Sequence, residues 1–158
     1  MAAIAHLGLG LAAKPVASRV PVGVLVLATE ATDLLWGVLA LAGVENTQSS
    51  PWSHSLFTSV ILATLAGLLA ARLYRHRPTG AVIGLAVFSH WLLDFVVHPP
   101  DLPLLFNGSP TAGLGLYTSG PGVIASIALE LGLLAGGRPL PAHSPALDCA
   151  GTMKGDRP

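Results

Sequence analysis

Apolar residues run through this chain in long blocks, and the polar residues that interrupt them fall at a few points. Ala2 to Ala13 is a first apolar block, shorter than the roughly 20 residues a helix needs to cross a bilayer core, so it predicts a short or tilted helix. Pro21 to Val44 is long enough to span. It opens on a proline suited to a first helical turn and ends before the polar run Glu45 to Ser50. Trp52 to Tyr74 predicts a third helix, with Ser53 as its N-cap, Arg72, Arg75 and Arg77 at its C-terminal end, and Pro78 as its stop. Gly80 to His98 predicts a fourth, ended by the pair Pro99-Pro100. Asp101 to Gly120, rich in Pro, Gly, Asn and Ser, reads as a structured loop or re-entrant piece. A fifth helix restarts at Pro121, with Ser119 as a possible cap, and runs to Ala135. The expected fold is all-α: a membrane bundle of about five hydrophobic helices, the first one short, over residues 1–136. A disordered tail over 137–158, rich in Pro and Gly, is expected to follow it on the cytoplasmic side.

Composition agrees with a bilayer as the main solvent. Of 158 residues, 52% are hydrophobic and 10% charged, with a mean hydropathy of +0.67; soluble domains carry roughly 25% charged residues. The net charge of zero leaves no basic field for nucleic acid, so that class of partner is excluded. The single cysteine, Cys149, excludes a disulfide framework and a thiolate metal site. Met1 to Ala13 lacks a basic leader region and holds His6, so it reads as a first helix rather than a cleavable signal.

All eight basic residues lie in three stretches: Lys14 and Arg19, then Arg72, Arg75 and Arg77, then Arg138, Lys154 and Arg157. The loops on the other side, Glu45 to Ser53 and Pro99 to Ala112, contain neither Lys nor Arg. Short cytoplasmic loops carry the basic excess. The expected orientation in the cell membrane is therefore N-terminus outside and C-terminus inside.

Four of the eight acidic residues, Glu30, Asp33, Asp94 and Glu130, fall within apolar segments. A charge at the bilayer centre costs about 2.5 to 3.5 kcal/mol even on insertion scales, so such residues need partners. Four of the six histidines, His6, His54, His90 and His98, lie in or at the ends of the same segments. His90, Asp94 and His98 recur every four residues, which on a helix spreads them over only about 80° of arc. Imidazole and carboxylate one turn apart suit a divalent ion. The same pattern also suits a hydrogen-bonded His-Asp pair locking helices together, with His98 a simple interfacial residue. Glu30 and Asp33, three apart, share a face with no basic neighbour, and Glu130 is the only ionisable residue of the fifth helix. At a rise of about 1.5 Å per residue, His6, Asp33, His54, His90, Asp94, His98 and Glu130 all fall in the outer half of the membrane. They are expected to converge on one polar cavity open to the outside.

The pieces Ala5-His6, Asp33-Leu34-Leu35-Trp36, Ser53-His54-Ser55-Leu56, Ser89-His90-Trp91-Leu92-Leu93-Asp94, His98-Pro99-Pro100-Asp101-Leu102-Pro103-Leu104 and Gly113-Leu114-Gly115-Leu116 resemble a family of uncharacterised bacterial integral membrane proteins. That family is similar to the membrane-bound metal-dependent hydrolases. The order His, Asp, His, His-x-x-x-Asp is also similar to the zinc ligands of the phospholipase C and P1 nuclease group. The resemblance implies His6, Asp33, His54, His90 and Asp94 as metal ligands, Asp94 bridging two ions, with His98 and Glu130 candidates for a further one. The expected function is then a hydrolase dependent on a divalent metal, zinc first, that takes a phosphoester or lipid-associated substrate from the outer face, with Glu30 or Glu130 as general base. The chain departs from the pattern at Ser126, where the zinc phospholipases have histidine, and at Thr32, where the membrane hydrolases have an acidic residue. A small transporter or ion-binding protein using the same cluster, and a structural protein whose polar groups only fix packing, are the alternatives from other classes.

Overall fold

A computed structural model describes residues 3–46 and 50–136. The expectation of a disordered tail over 137–158 lies outside the described residues. Helices α1 (Ala3–Ala12), α2 (Val22–Thr29), α3 (Ala31–Leu41), α4 (Leu56–Leu73), α5 (Arg77–Val97) and α6 (Gly120–Gly136) make up most of what is described. Two of them, α4 and α5, are long and apolar enough to cross a membrane, and α2 with α3 would count as a third only as one broken span.

The segment expected to form one second helix is two. α2 and α3 meet at Glu30 and are bent by 60°. At the junction Glu30 leaves helical geometry (φ −95°, ψ 4°). The Thr29 carbonyl there accepts from the His90 ring, and a side chain inserted into the backbone ladder is a recognised cause of a kink.

Helices α4 and α5 form an antiparallel hairpin, the most extensive contact in the fold. Small residues let the two backbones approach closely: a Cβ on Gly80 would lie 2.5 Å from the Gly67 carbonyl oxygen and 2.6 Å from the Ala71 Cβ. Such small-residue seams are how helices associate in lipid, where apolar burial gives little drive. The opposite face of α4 leaves Leu65, Leu68, Leu69 and Leu73 exposed, an apolar surface suited to acyl chains.

The helix ends differ from expectation in two places. Ser55, not Ser53, caps α4, its Oγ accepting from the Thr58 N–H at 3.1 Å. Pro78 does not close the third helix. It sits in the first turn of α5, where a missing N–H goes unneeded, behind a His76 cap that accepts from the Thr79 N–H.

The loop after α5 is built. Strands β1 (Leu102–Pro103) and β2 (Thr111–Ala112) pair antiparallel, Leu102 opposite Ala112. Leu114 N–H donates to the Phe95 carbonyl and Gly115 N–H to that of His98, which satisfies carbonyls that the helix end leaves free. Phe57 N–H donates to the Leu104 carbonyl, tying the hairpin to the start of α4. Trp52, Phe57 and Phe106 meet there as exposed aromatic rings, a composition typical of a membrane–water interface. A 3₁₀ turn at Leu116–Thr118 leads to α6, whose first turn is capped by Ser119 Oγ, 3.1 Å from the Gly122 N–H. α6 packs on α1, which also touches α2 and α5. The buried apolar core (Ala17, Val20, Leu25, Ala28, Ala70, Ile83, Ala86, Val87) is drawn from the α1–α2 connection, α2, α4 and α5.

Candidate metal centre

Four elements bring five of the expected residues to one point. α5 presents His90 and, one turn on, Asp94; the first turn of α3 presents Asp33; α1 presents His6; the loop before α4 presents His54. His90 Nε2 stands 3.3 Å from Asp94 Oδ2 and 3.4 Å from Asp33 Oδ1. His54 Nε2 stands 3.1 Å from Asp33 Oδ1 and 3.8 Å from Asp94 Oδ2. His6 stacks on the His90 ring, centroids 3.9 Å apart, and its Nε2 lies 3.8 Å from Asp94 Oδ1.

The orientation of the two best-held rings follows from their outer nitrogens. His90 Nδ1 lies 2.7 Å from the Thr29 carbonyl oxygen. A carbonyl only accepts, so Nδ1 carries the proton, and the neutral ring turns a lone pair at Nε2 toward the two carboxylates. His54 Nδ1 lies 2.8 Å from Ser53 Oγ, which likewise leaves Nε2 facing the carboxylates. The lone pair of His90 Nε2 therefore points at two carboxylates, with no Lys or Arg among them. A proton or a metal ion is needed to reconcile them.

The spacing tests which groups fit an ion. Ligand bonds of about 2.0 to 2.2 Å in a tetrahedron place neighbouring ligand atoms roughly 3.4 Å apart. Four of the six distances among His54, Asp33, His90 and Asp94, at 3.1, 3.4, 3.3 and 3.8 Å, bracket that value. Asp33, His54 and His90 form one group of possible ligands, and His6, Glu30 and His90 a second. Asp94 joins the two, Oδ1 toward His6 and Oδ2 toward His54 and His90.

Burial grades across the cluster. The side chains of His90, His6 and Asp94 are at most 7% exposed, His54 13% and Asp33 45%, so the approach is past Asp33. Both ring nitrogens of His6 and Oε1 of Glu30 are buried without a hydrogen-bond partner among the described residues. Buried polar atoms of native proteins nearly always find partners, and those that do not call for a ligand or another account.

One expected residue is not brought in, and another lies outside the described side chains. α5 ends at Val97, so His98 leaves the repeat that carries His90 and Asp94 and turns its Nδ1 to Asp101 Oδ1 at 3.6 Å, both side chains exposed. Glu130 lies in α6, and its side chain is outside the described residues, as is that of Ser126.

One participant was not singled out by the sequence pattern. Glu45 opens the polar run after the second apolar block, yet it is 5% exposed, and its Oε1 accepts from the N–H groups of Trp52 at 2.6 Å and Ser53 at 3.0 Å. A lone glutamate among loop residues gives no periodic signal. Only the return of the chain to the start of α4 makes it part of the site.

No known protein family, curated protein or solved structure matches this chain.

Proposed function

We propose that the chain is a polytopic protein of the cell membrane, N-terminus outside, and that the cluster is the centre of a divalent-metal-dependent hydrolase acting on a phosphoester or other lipid-associated bond from the outer face. The observation that carries this reading is the convergence of imidazole Nε2 atoms and carboxylate oxygens at metal-ligand spacing, with the outer ring nitrogens already engaged. Asp33, His54, His90 and Asp94 would hold one ion, and His6, with Asp94, would hold a second. Such ions, zinc first among them, supply Lewis acidity, polarising a substrate oxygen and making water a better nucleophile near neutral pH. Glu30 Oε1, buried beside His6 and His90, would serve as the general base toward the attacking water. The exposed side of Asp33 admits the substrate, while the buried rings keep bulk water out. A site that opens beside exposed aromatic and apolar residues suits a substrate presented by the membrane itself.

Elemental analysis of detergent-purified protein, with His90→Ala and Asp94→Ala as controls, tests the metal. Stoichiometric zinc, manganese or iron that both variants lose is the expected result. Wild type that carries no such metal in chelator-free buffers removes the hydrolase reading. Phosphodiesters and phospholipids are then screened for turnover with metal added.

One observation favours a second reading. The helix break at Glu30 sits beside the cluster, and broken helices whose freed backbone lines an ion site are characteristic of transporters. Metal-dependent flux into proteoliposomes, without turnover of any ester, supports that reading over the first.

A further inference from the structure

We infer that Glu45 is a positioning residue of the metal centre, clamping the loop that carries His54 to the segment that carries Asp33; this rests on the metal reading above. Both halves of the clamp are visible. On its own side, Glu45 follows α3 closely: after the left-handed turn at Gly43 (φ +73°), the N–H groups of Val44 and Glu45 both return to the Leu39 carbonyl, at 2.9 and 3.3 Å. The carboxylate is thereby fixed to the helix whose first turn bears Asp33. On the other side, Oε1 receives the N–H groups of Trp52 and Ser53, the two residues before His54. Ser53 Oγ then meets His54 Nδ1 at 2.8 Å, and Ser55, the next residue, caps α4. His54 is thus held between a capped helix and a buried carboxylate.

His54 needs such a hold. His90 and Asp94 ride on a long helix that fixes their separation, whereas His54 stands in a turn before α4 and reaches Asp33 across 21 residues of chain. A loop ligand without an outer restraint would lose its orientation. Carboxylates that fix a ligating histidine from outside commonly act on the ring itself; here the carboxylate acts through two backbone N–H groups and a serine hydroxyl. The bonds from N–H groups to an ionised carboxylate are of the stronger, charge-assisted kind. One acceptor oxygen is sufficient for this, so a carboxamide in the same place retains the hold.

The experiment is a double-mutant cycle read by Zn²⁺ affinity, on the full chain in detergent, with helical content checked by circular dichroism. Loss of an outer positioning group costs about 10- to 100-fold in metal affinity, and Glu45→Ala is expected to do so while Glu45→Gln stays within a few-fold of wild type. Because the effect runs through His54, Glu45→Ala adds nothing in a His54→Ala background. The Co²⁺ form gives a second readout: the visible spectrum of Glu45→Ala is expected to shift to that of His54→Ala. If Glu45→Ala does not fold, Glu45→Asp, whose shorter arm cannot keep both bonds, takes its place under the same criteria. Zinc binding by wild type together with unchanged affinity in the alanine or aspartate variant overturns the inference alone. So does a full additional loss on top of His54→Ala, the mark of a general structural role. Wild type that binds no metal overturns both this inference and the reading beneath it.

Discussion

The Nδ1 atom of His90 lies 2.7 Å from the carbonyl oxygen of Thr29, at the point where α2 stops and α3 turns away by 60°. One contact therefore does two things. It takes up a carbonyl that the next helical turn would have used, and it decides which nitrogen of His90 faces Asp33 and Asp94. The helix break and the ligand orientation are one feature seen from two sides.

Replacing His90 by alanine removes both. The Thr29 carbonyl is left buried without its donor, a loss of about 1 to 3 kcal/mol, and a cavity opens beside His6. Denaturant unfolding in detergent, without added metal, is expected to show the variant less stable by at least that amount. Unchanged stability would mean that the break does not depend on the ring.

Metal and folding stability are coupled if the cluster binds an ion, since the ligands come from α1, α3, α5 and the loop before α4. An ion at a hundred times its dissociation constant stabilises the folded state by about 2.7 kcal/mol. Added Zn²⁺ is expected to raise the thermal midpoint of wild type, a chelator to reverse the rise, and His54→Ala and Asp94→Ala to abolish it. His98→Ala is expected to keep the full response, because the His98 ring faces Asp101 instead. A response lost in His98→Ala would place that residue at the ion after all.

Much of this arrangement was legible before any coordinates. The four-residue step from His90 to Asp94 needs only helical geometry, and the isolation of Asp33 and Glu30 in apolar surroundings needs only the cost of burying charge. Extending the same step to His98 failed, because Pro99-Pro100 ends the helix one residue too soon. The break at Glu30 was hidden for a different reason. Val22 to Leu41 carries no proline and reads as a continuous span, and the disturbing group, His90, arrives from about 60 residues away in the chain. Glu45 was hidden likewise, its partners being backbone N–H groups that carry no sequence signature.

The seam between α4 and α5 makes one substitution act with opposite signs at two glycines. Gly80→Ala places a methyl against the Gly67 carbonyl and Ala71, and overpacking of this kind costs about 1 to 3 kcal/mol. Gly37→Ala in α3 meets nothing within 4 Å, and there alanine's better helix propensity gains about 0.8 to 1.0 kcal/mol. Unfolding of the two variants in the same detergent gives the comparison. Since α5 carries His90 and Asp94 while His54 immediately precedes α4, Gly80→Ala is also expected to weaken metal affinity, and Gly37→Ala to leave it unchanged. Equal effects of the two alanines would show that the close approach of α4 and α5 is not tight in solution.

The side of the membrane on which the cluster lies depends on orientation, which the native sequence is well equipped to report. Arg75 and Arg77 stand at the turn between α4 and α5, the end of that hairpin opposite His54, Asp94 and the β1–β2 loop. Basic residues favour the cytoplasm, so the orientation proposed above, with the cluster end outward and the C-terminus inward, is the expected one. Cys149 is the single cysteine and lies after α6, so it serves as a reporter without further engineering. A membrane-impermeant maleimide added to intact spheroplasts is expected to spare Cys149 and to label it once the membrane is opened. In a Cys149→Ser background, Asn107→Cys, an exposed position between β1 and β2, is expected to react in intact spheroplasts. Labelling of Cys149 from outside, with Asn107→Cys protected, would turn the molecule over. The cluster would then face the cytoplasm, and any lipid it acts on would be drawn from the inner leaflet.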